Sequence, residues 1–219
     1  MAHDKLDNKA VQGASRANDP EQTRRDILTV ATEEFSAKGF SGARVDEIAA
    51  RTRTSKRMIY YYFTDKEGLY IATLEEAYRR IRQFEATLDL DRFEPEDALK
   101  TLVESTFDYQ NANPDFVRLV MNENIHNASY MARSHEIQAL NVTVVDTIRT
   151  ICRRGEASGI FRSDLDAVEL HMTISALCFF NVANRATFST IFKRDLASPT
   201  AQAQRRAEVV ETVLRYVRR

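Results

Sequence analysis

From Ile27 onward, apolar side chains recur three or four residues apart along most of the chain, the spacing that lines one face of an α-helix. Ile27, Leu28, Ala31 and Phe35 share such a face, and Gly39 after Lys38 marks a left-handed stop. Two short helical patterns follow, 45–51 with Val45, Ile48 and Ala49 inward and 55–63 with Ile59 and Phe63 inward. A long one runs from 66 to about 88, where Tyr70, Ile71, Leu74, Ala77, Tyr78, Ile81, Phe84 and Leu88 form a stripe. The remaining periodicity predicts helices near 95–111, 114–126, 135–157, 164–192 and 200–218.

Punctuation residues agree with this division. Pro20, Pro95, Pro114 and Pro199 all fall at predicted helix starts, where the missing N–H has no intrahelical partner to lose. Asp19, Asn113 and Ser198 precede three of them as caps, and Asp19 with Gln22 approximates a capping box. Thr64 with Glu67 and Ser163 with Asp166 repeat that spacing and predict two further starts. Glycine and proline together number 10 of 219 residues, too few for a sandwich or barrel that turns every ten residues or so. The expected fold is all-α.

At 43% hydrophobic the chain can build a core, and its 31 basic and 32 acidic residues leave a net charge of −1. Taken alone, that balance speaks against a nucleic-acid partner. The average conceals a local excess, because residues 51–66 hold Arg51, Arg53, Lys56, Arg57 and Lys66 against the single acid Asp65. Cys152 and Cys178 are too few for a disulfide framework or a Cys-rich metal site, and read as buried thiols in a reducing, cytoplasmic setting. The start of the chain lacks the apolar stretch of a signal peptide. The most apolar run, 174–180, has seven residues, whereas a membrane span needs about 20; no membrane partner is expected.

Segment 48–63 carries the functional signal. Two short helices with a tight connection form a helix-turn-helix, whose second helix enters the major groove with its N-terminal residues toward base edges. Three tyrosines end that helix, and at least one hydroxyl must face outward beside the cations. A basic helix by itself would equally be a solvated face. The register of residues 24–74 distinguishes the two: the Ile48–Ala49 pair, Ser55 opening the second helix, Tyr60 and Phe63 closing it, and Lys66-Glu67-Gly68-Leu69 beginning the next. In these features the chain resembles the N-terminal domain of TetR-family transcriptional regulators.

The resemblance implies a homodimeric regulator, expected to be a repressor, that binds a near-palindromic operator in double-stranded DNA and responds to a small-molecule effector. It divides the chain into a flexible N-terminal arm (1–19), a helix-turn-helix DNA-binding domain (20–66) and a ligand-binding and dimerisation domain (67–219). Lys56, Arg57 and Met58 match base-facing positions, Tyr60, Tyr61 and Tyr62 a mixed base and phosphate edge, and Lys66 a phosphate-contacting lysine. Two departures stand out. Arg53 occupies the turn position where the family usually has glycine, so either the turn is rebuilt or the strain of a left-handed residue is tolerated. Ala43 and Arg44 replace the usual Thr or Ser before the second helix; Arg44, with Val45 beside it, is the substitute contact, and Ser55 completes the expected DNA-binding set. An alternative reading is a helical interaction protein with an inactive helix-turn-helix, for which Arg53 is the supporting feature.

Beyond residue 88 the resemblance thins. Segment 154–162 with Asp164-Leu165-Asp166 is similar to the loop before the family's dimerisation helices. The expected dimer interface is therefore Leu177, Phe180, Asn184 and Phe188 on one helix and Val210, Val213, Leu214 and Val217 on the other, although such stripes also serve as intramolecular core. Phe84, Tyr109, Phe116, Met121, Glu123, Asn124, His126, Tyr130 and Asn141 are the expected ligand lining, mixing aromatic bulk with a few polar groups. Glu123 and His126 have the Glu-x-x-His spacing of di-iron bundles, but no second copy exists. With no phosphate loop, Gly-x-Ser-x-Gly or His-Glu-x-x-His either, no enzyme activity, catalytic residue, metal or cofactor is expected.

Overall fold

The computed structural model describes residues 19–219. Ten α-helices account for most of them: α1 (Pro20–Gly42), α2 (Val45–Thr52), α3 (Lys56–Phe63), α4 (Lys66–Ala86), α5 (Pro95–Ala112), α6 (Pro114–Ile125), α7 (His135–Ala157), α8 (Ala167–Ala183), α9 (Arg185–Phe192) and α10 (Pro199–Val217). The N-terminal arm lies outside the described residues but for Asp19, whose side chain accepts the Glu21 N–H and caps α1.

Several helix ends depart from expectation, each for a local reason. At the start of α4 the cap is Asp65, which accepts the Gly68 N–H at 2.8 Å, while Thr64 turns the corner at φ 69°. Asp166 similarly caps α8 by accepting from Val168 and Glu169, so that helix starts after Asp164, itself at φ 63°. Asn113 donates to the Tyr109 carbonyl and thus caps the end of α5 rather than the start of α6. The helix predicted over 164–192 is two helices broken at Asn184, where no glycine or proline signals the break. There Asn181 and Arg185 both donate to Asn111, and Asn181 also reaches Gln202, ties to other helices that a periodicity cannot register.

Two main cores form. The first gathers Ile27, Leu28, Ala31 and Phe35 of α1, Val45, Ile48 and Ala49 of α2, Ile59 and Phe63 of α3, and Leu69, Tyr70 and Leu74 of α4, with Leu119 of α6 and Ile137 of α7 closing it from the other side. The second unites α5, α7, α8 and α10 around residues such as Leu99, Val103, Ile148, Leu170, Ile174 and Val213. A smaller cluster of Ile81, Phe116 and Val117 lies between α4 and α6, with Tyr78, Tyr109 and Phe179 packed against it.

Two glycines are fixed by close approach. A Cβ at Gly68 would lie 2.1 Å from the Phe63 carbonyl oxygen, so the α3–α4 corner requires glycine there. A Cβ at Gly155 would lie 2.0 Å from the ring of Phe161. That phenylalanine is buried under the loop after α7, and the loop pairs with the chain end through Arg162 N–H to the Val217 carbonyl at 2.8 Å.

Candidate nucleic-acid interface and sensory interior

Helices α2 and α3 are each eight residues long and amphipathic. Their buried positions, Val45, Ile48, Ala49, Ile59 and Phe63, match the inward faces read from spacing. Ser55 caps α3 by accepting the Met58 N–H at 3.1 Å, so its hydroxyl is a structural cap. Val45 is buried at 5% exposure, which corrects its expected role: its side chain is core and cannot meet DNA. The turn keeps Arg53 at φ 53°, ψ 33°, its N–H bonded back to Ala50, so the left-handed strain is tolerated rather than relieved.

On the outer face, Arg44, Arg53, Arg57 and Met58 are exposed and Tyr61 is 80% exposed, while Tyr60 and Tyr62 are half-buried against the first core. The cations are not equivalent. Arg51 pairs with Glu33 of α1, and Lys56 pairs with Asp46 of α2 at 3.2 Å while lying over the Tyr60 ring. Arg44, Arg53 and Arg57 have no acid partner among the described residues and are free for phosphate or base edges. Lys66 is half-buried: its ammonium sits 4.9 Å from the Phe40 ring centroid, and burial lowers its pKa against the pull of Glu34.

Sequence reasoning missed Glu34, a buried acid that positions this face. One of its oxygens accepts from Lys38 at 2.8 Å and from the Arg44 N–H at 3.1 Å, holding the entry to α2. Burial alone would raise its pKa, but those hydrogen bonds and the charges of Lys38 and Arg51 hold it below the usual carboxylate range. A cleft of about 360 Å³ lies beside the turn, lined by Thr23, Asp26, Thr52, Arg53, Thr54, Ser55, Met58 and Tyr62.

The expected ligand residues separate into different places. Phe84, Tyr109 and Phe116 do meet, with ring centroids 5.1 Å (Phe84–Tyr109) and 6.4 Å (Tyr109–Phe116) apart. Met121 and Asn124 are exposed on α6, and Asn141 donates to its own helix at Ile137. Glu123, His126 and Tyr130 lie instead at the junction with the first core. Glu123 is 1% exposed and accepts the Met131 N–H at 2.9 Å; His126 holds the Asn122 carbonyl through Nδ1; Tyr130 packs on Phe40 and Tyr70 at 4.5 and 5.2 Å. Further ties join the same elements: Asn122 to the Phe35 carbonyl, Arg133 to Glu67, Ser134 to Glu75 and Arg79 to Glu136. These residues couple the α6–α7 segment to α1 and α4.

Sequence reasoning also missed the polar centre of the interior. Arg82 and Glu85 form an ion pair with side-chain exposures of only 9% and 12%. Burial lowers the Arg82 pKa despite Glu85 and the phenol oxygens of Tyr78 and Tyr109, and raises that of Glu85 despite Arg82. His171 of α8 is pushed down to about 4 by burial, with Arg82 adding to the shift, and so stands neutral. The available signal was phase: Arg82 and Glu85 follow Tyr78 by four and seven residues, placing charge on an inward stripe.

The α10 half of the expected dimer residues requires correction too. Val210, Val213, Leu214 and Val217 are buried within the chain's own second core, against which Leu177 also packs. Phe180, Asn184 and Phe188 line a half-open cleft of about 540 Å³ between α8, α9 and α10. What α8 leaves uncovered is a stripe that keeps the expected Phe180, at 43% exposure, and adds Val168 at 53% and Met172 at 61%, with Ala176 in register. Both cysteines are buried, and burial raises Cys152 to about 11 and Cys178 to about 12, so neither forms thiolate readily. No helix of the described residues is long and apolar enough to cross a membrane.

Residues 27–73 match the family model described as bacterial regulatory proteins, tetR family, and residues 95–213 match that of the tetracyclin repressor-like C-terminal domain. The chain is 38% identical over 204 residues to the HTH-type transcriptional repressor NicS of Pseudomonas putida, covering 93% of this chain and 96% of that protein. Among solved structures, SCO4942 from Streptomyces coelicolor superposes with a TM-score of 0.65 at 28% identity over 89% of this chain and 98% of that one. A tetR-family regulatory protein from Rhodococcus RHA1 shares the fold, with a TM-score of 0.69 at 22% identity over 90% and 97% of the two chains.

Proposed function

The chain belongs to the tetR family of bacterial regulatory proteins, and on that premise we propose that it is a homodimeric repressor released from its operator by a small molecule. One observation carries the DNA-binding half. Arg44, Arg53 and Arg57, without acid partners among the described residues, share with Tyr61 the uncovered face of a two-helix unit that its core holds rigid. Arg57 is the residue for bidentate pairing with a guanine, worth about 1–3 kcal/mol of discrimination. Arg44 and Arg53 add affinity through phosphate without sequence preference.

The dimer sets two copies of α3 about 34–36 Å apart, one turn of DNA, on a near-palindromic site. Its interface is the uncovered Val168–Met172–Ala176–Phe180 stripe, since the inward stripe of α10 is already used within the chain. The effector acts in the interior between α4, α5, α6 and α8, where Phe84, Tyr109 and Phe116 meet. Its binding reaches α1 and α4 through the Glu123–Tyr130 junction, with a coupling of about 1–3 kcal/mol weakening DNA binding some 5- to 150-fold. The test is a titration of duplex from the region upstream of the gene, with an unrelated duplex as control, at several salt concentrations. Preference for one inverted repeat together with a steep salt dependence supports the reading; equal, salt-insensitive binding would favour the inactive-module alternative.

A further inference from the structure

We propose that the Arg82–Glu85 cluster is the effector-reading site and that the effector is a small aromatic carboxylic acid, its carboxylate held side-on by the free edge of the Arg82 guanidinium. This rests on the regulator reading above and narrows it to a ligand class.

Of the ion-paired arginines among the described residues, Arg82 is the most buried, at 9% exposure of its side chain. Its one hydrogen bond there is from Nη1 to Glu85, and its Nε is enclosed without a partner. A buried donor left unmade is costly, and native interiors rarely keep one without a reason. When Nη1 is engaged, the guanidinium still offers the edge formed by Nε and Nη2, two parallel donors that fit the two oxygens of one carboxylate. Stability is a weak explanation for such a pair, because apolar side chains of equal volume often serve a core as well.

The surroundings specify the rest of the ligand. Tyr78, Phe116, Tyr109 and Phe84 form a chain of rings at centroid spacings of 5.3, 6.4 and 5.1 Å. A flat apolar body entering between these rings would stack on them in place of their contacts with one another. Charge balance is compatible with an acid. Burial already draws Glu85 toward its protonated form, so an entering carboxylate can replace it as the counter-ion of Arg82 while Glu85 takes up a proton. His171, neutral and close enough to Arg82 to feel its charge, can serve as a further hydrogen-bond partner without adding charge.

The probes are benzoate and its uncharged isostere benzamide, titrated calorimetrically into the full-length protein. The expected result is saturable benzoate binding with benzamide at least about 10-fold weaker, the difference between a charge-assisted pair and a neutral hydrogen bond. The double variant Arg82→Met/Glu85→Gln, which leaves no buried charge unpaired, should weaken benzoate roughly 10- to 150-fold. If that variant is not folded by circular dichroism, Arg82→Lys replaces it: the charge is kept, the fork is lost, and benzoate should again weaken by about 10-fold. Equal affinity for acid and amide, unchanged benzoate binding in the folded variant, or no saturable benzoate binding up to about 10 mM, the weak end for a fragment this size, each overturns the proposal. Operator binding by the wild-type protein without probe is measured alongside. Specific DNA binding with no benzoate response refutes the ligand class alone, whereas absent operator binding refutes the regulator reading.

Discussion

Replacing Arg53 by glycine should make the protein more stable and its grip on DNA weaker at once. Arg53 sits at φ 53°, ψ 33° as the left-handed cap of α2, its side chain exposed and without an acid partner among the described residues. A non-glycine residue in that region costs about 1–2 kcal/mol, and the greater freedom of glycine in the unfolded chain returns about 0.5–1 kcal/mol of this. The net gain is therefore on the order of 0.5–1 kcal/mol per subunit, about 1–4 °C in Tm for a chain of this size. The same change deletes one cation per subunit at the mouth of the turn. If each contacts one phosphate, the dimer loses two contacts, and the slope of log K against log salt becomes shallower by about 1.8. At 0.1 M salt that is roughly 8-fold in affinity per contact. Urea denaturation followed by circular dichroism reads the first effect, and fluorescence anisotropy of a labelled duplex at four or more salt concentrations reads the second. A loss of stability would refute the strain assignment, and an unchanged salt slope would refute the phosphate contact.

Gly68→Ala should destabilise by about 2–3 kcal/mol, because its Cβ would lie 2.1 Å from the Phe63 carbonyl and the α3–α4 corner must open; an unshifted urea midpoint would count against that corner's rigidity. Folding lowers the Glu34 pKa below its ordinary 4.5, so its stabilisation is complete above that pH and disappears as pH falls through the lower, folded value. The acid limb of stability against pH should then be flatter in Glu34→Gln than in wild type, and parallel limbs would remove Glu34 from the account. Val213→Asp, at a fully buried site, should abolish folding, whereas Met172→Asp, at a site 61% exposed, should leave a folded chain with weakened self-association. Circular dichroism with light scattering separates these outcomes, and a folded monomer from Val213→Asp would restore α10 as the interface.

The periodicity of apolar positions, four prolines and a few caps were enough for an all-α chain and for the inward faces of α1 to α3, because a helix records its buried face locally, every three or four residues. The recognition helix was legible for the same reason, and the local run of cations mattered more than a net charge of −1. What a single helix cannot record is which other element covers a given face. The valines of α10 form an apolar stripe whether the cover is α5 and α8 of the same chain or a second copy, and only the packed structure assigns them to the interior. Glu123, His126 and Tyr130 have the composition of a ligand lining, yet the approach of α6 to α1 places them at a junction between cores. Arg82 looks from its neighbours like one more charge on a long helix, and it is buried only once the helices have packed around it. Secondary structure is set by contacts within about four residues; burial of a charge, a break at Asn184 and the choice between core and interface depend on contacts far apart in the chain, which exist only once the helices have packed.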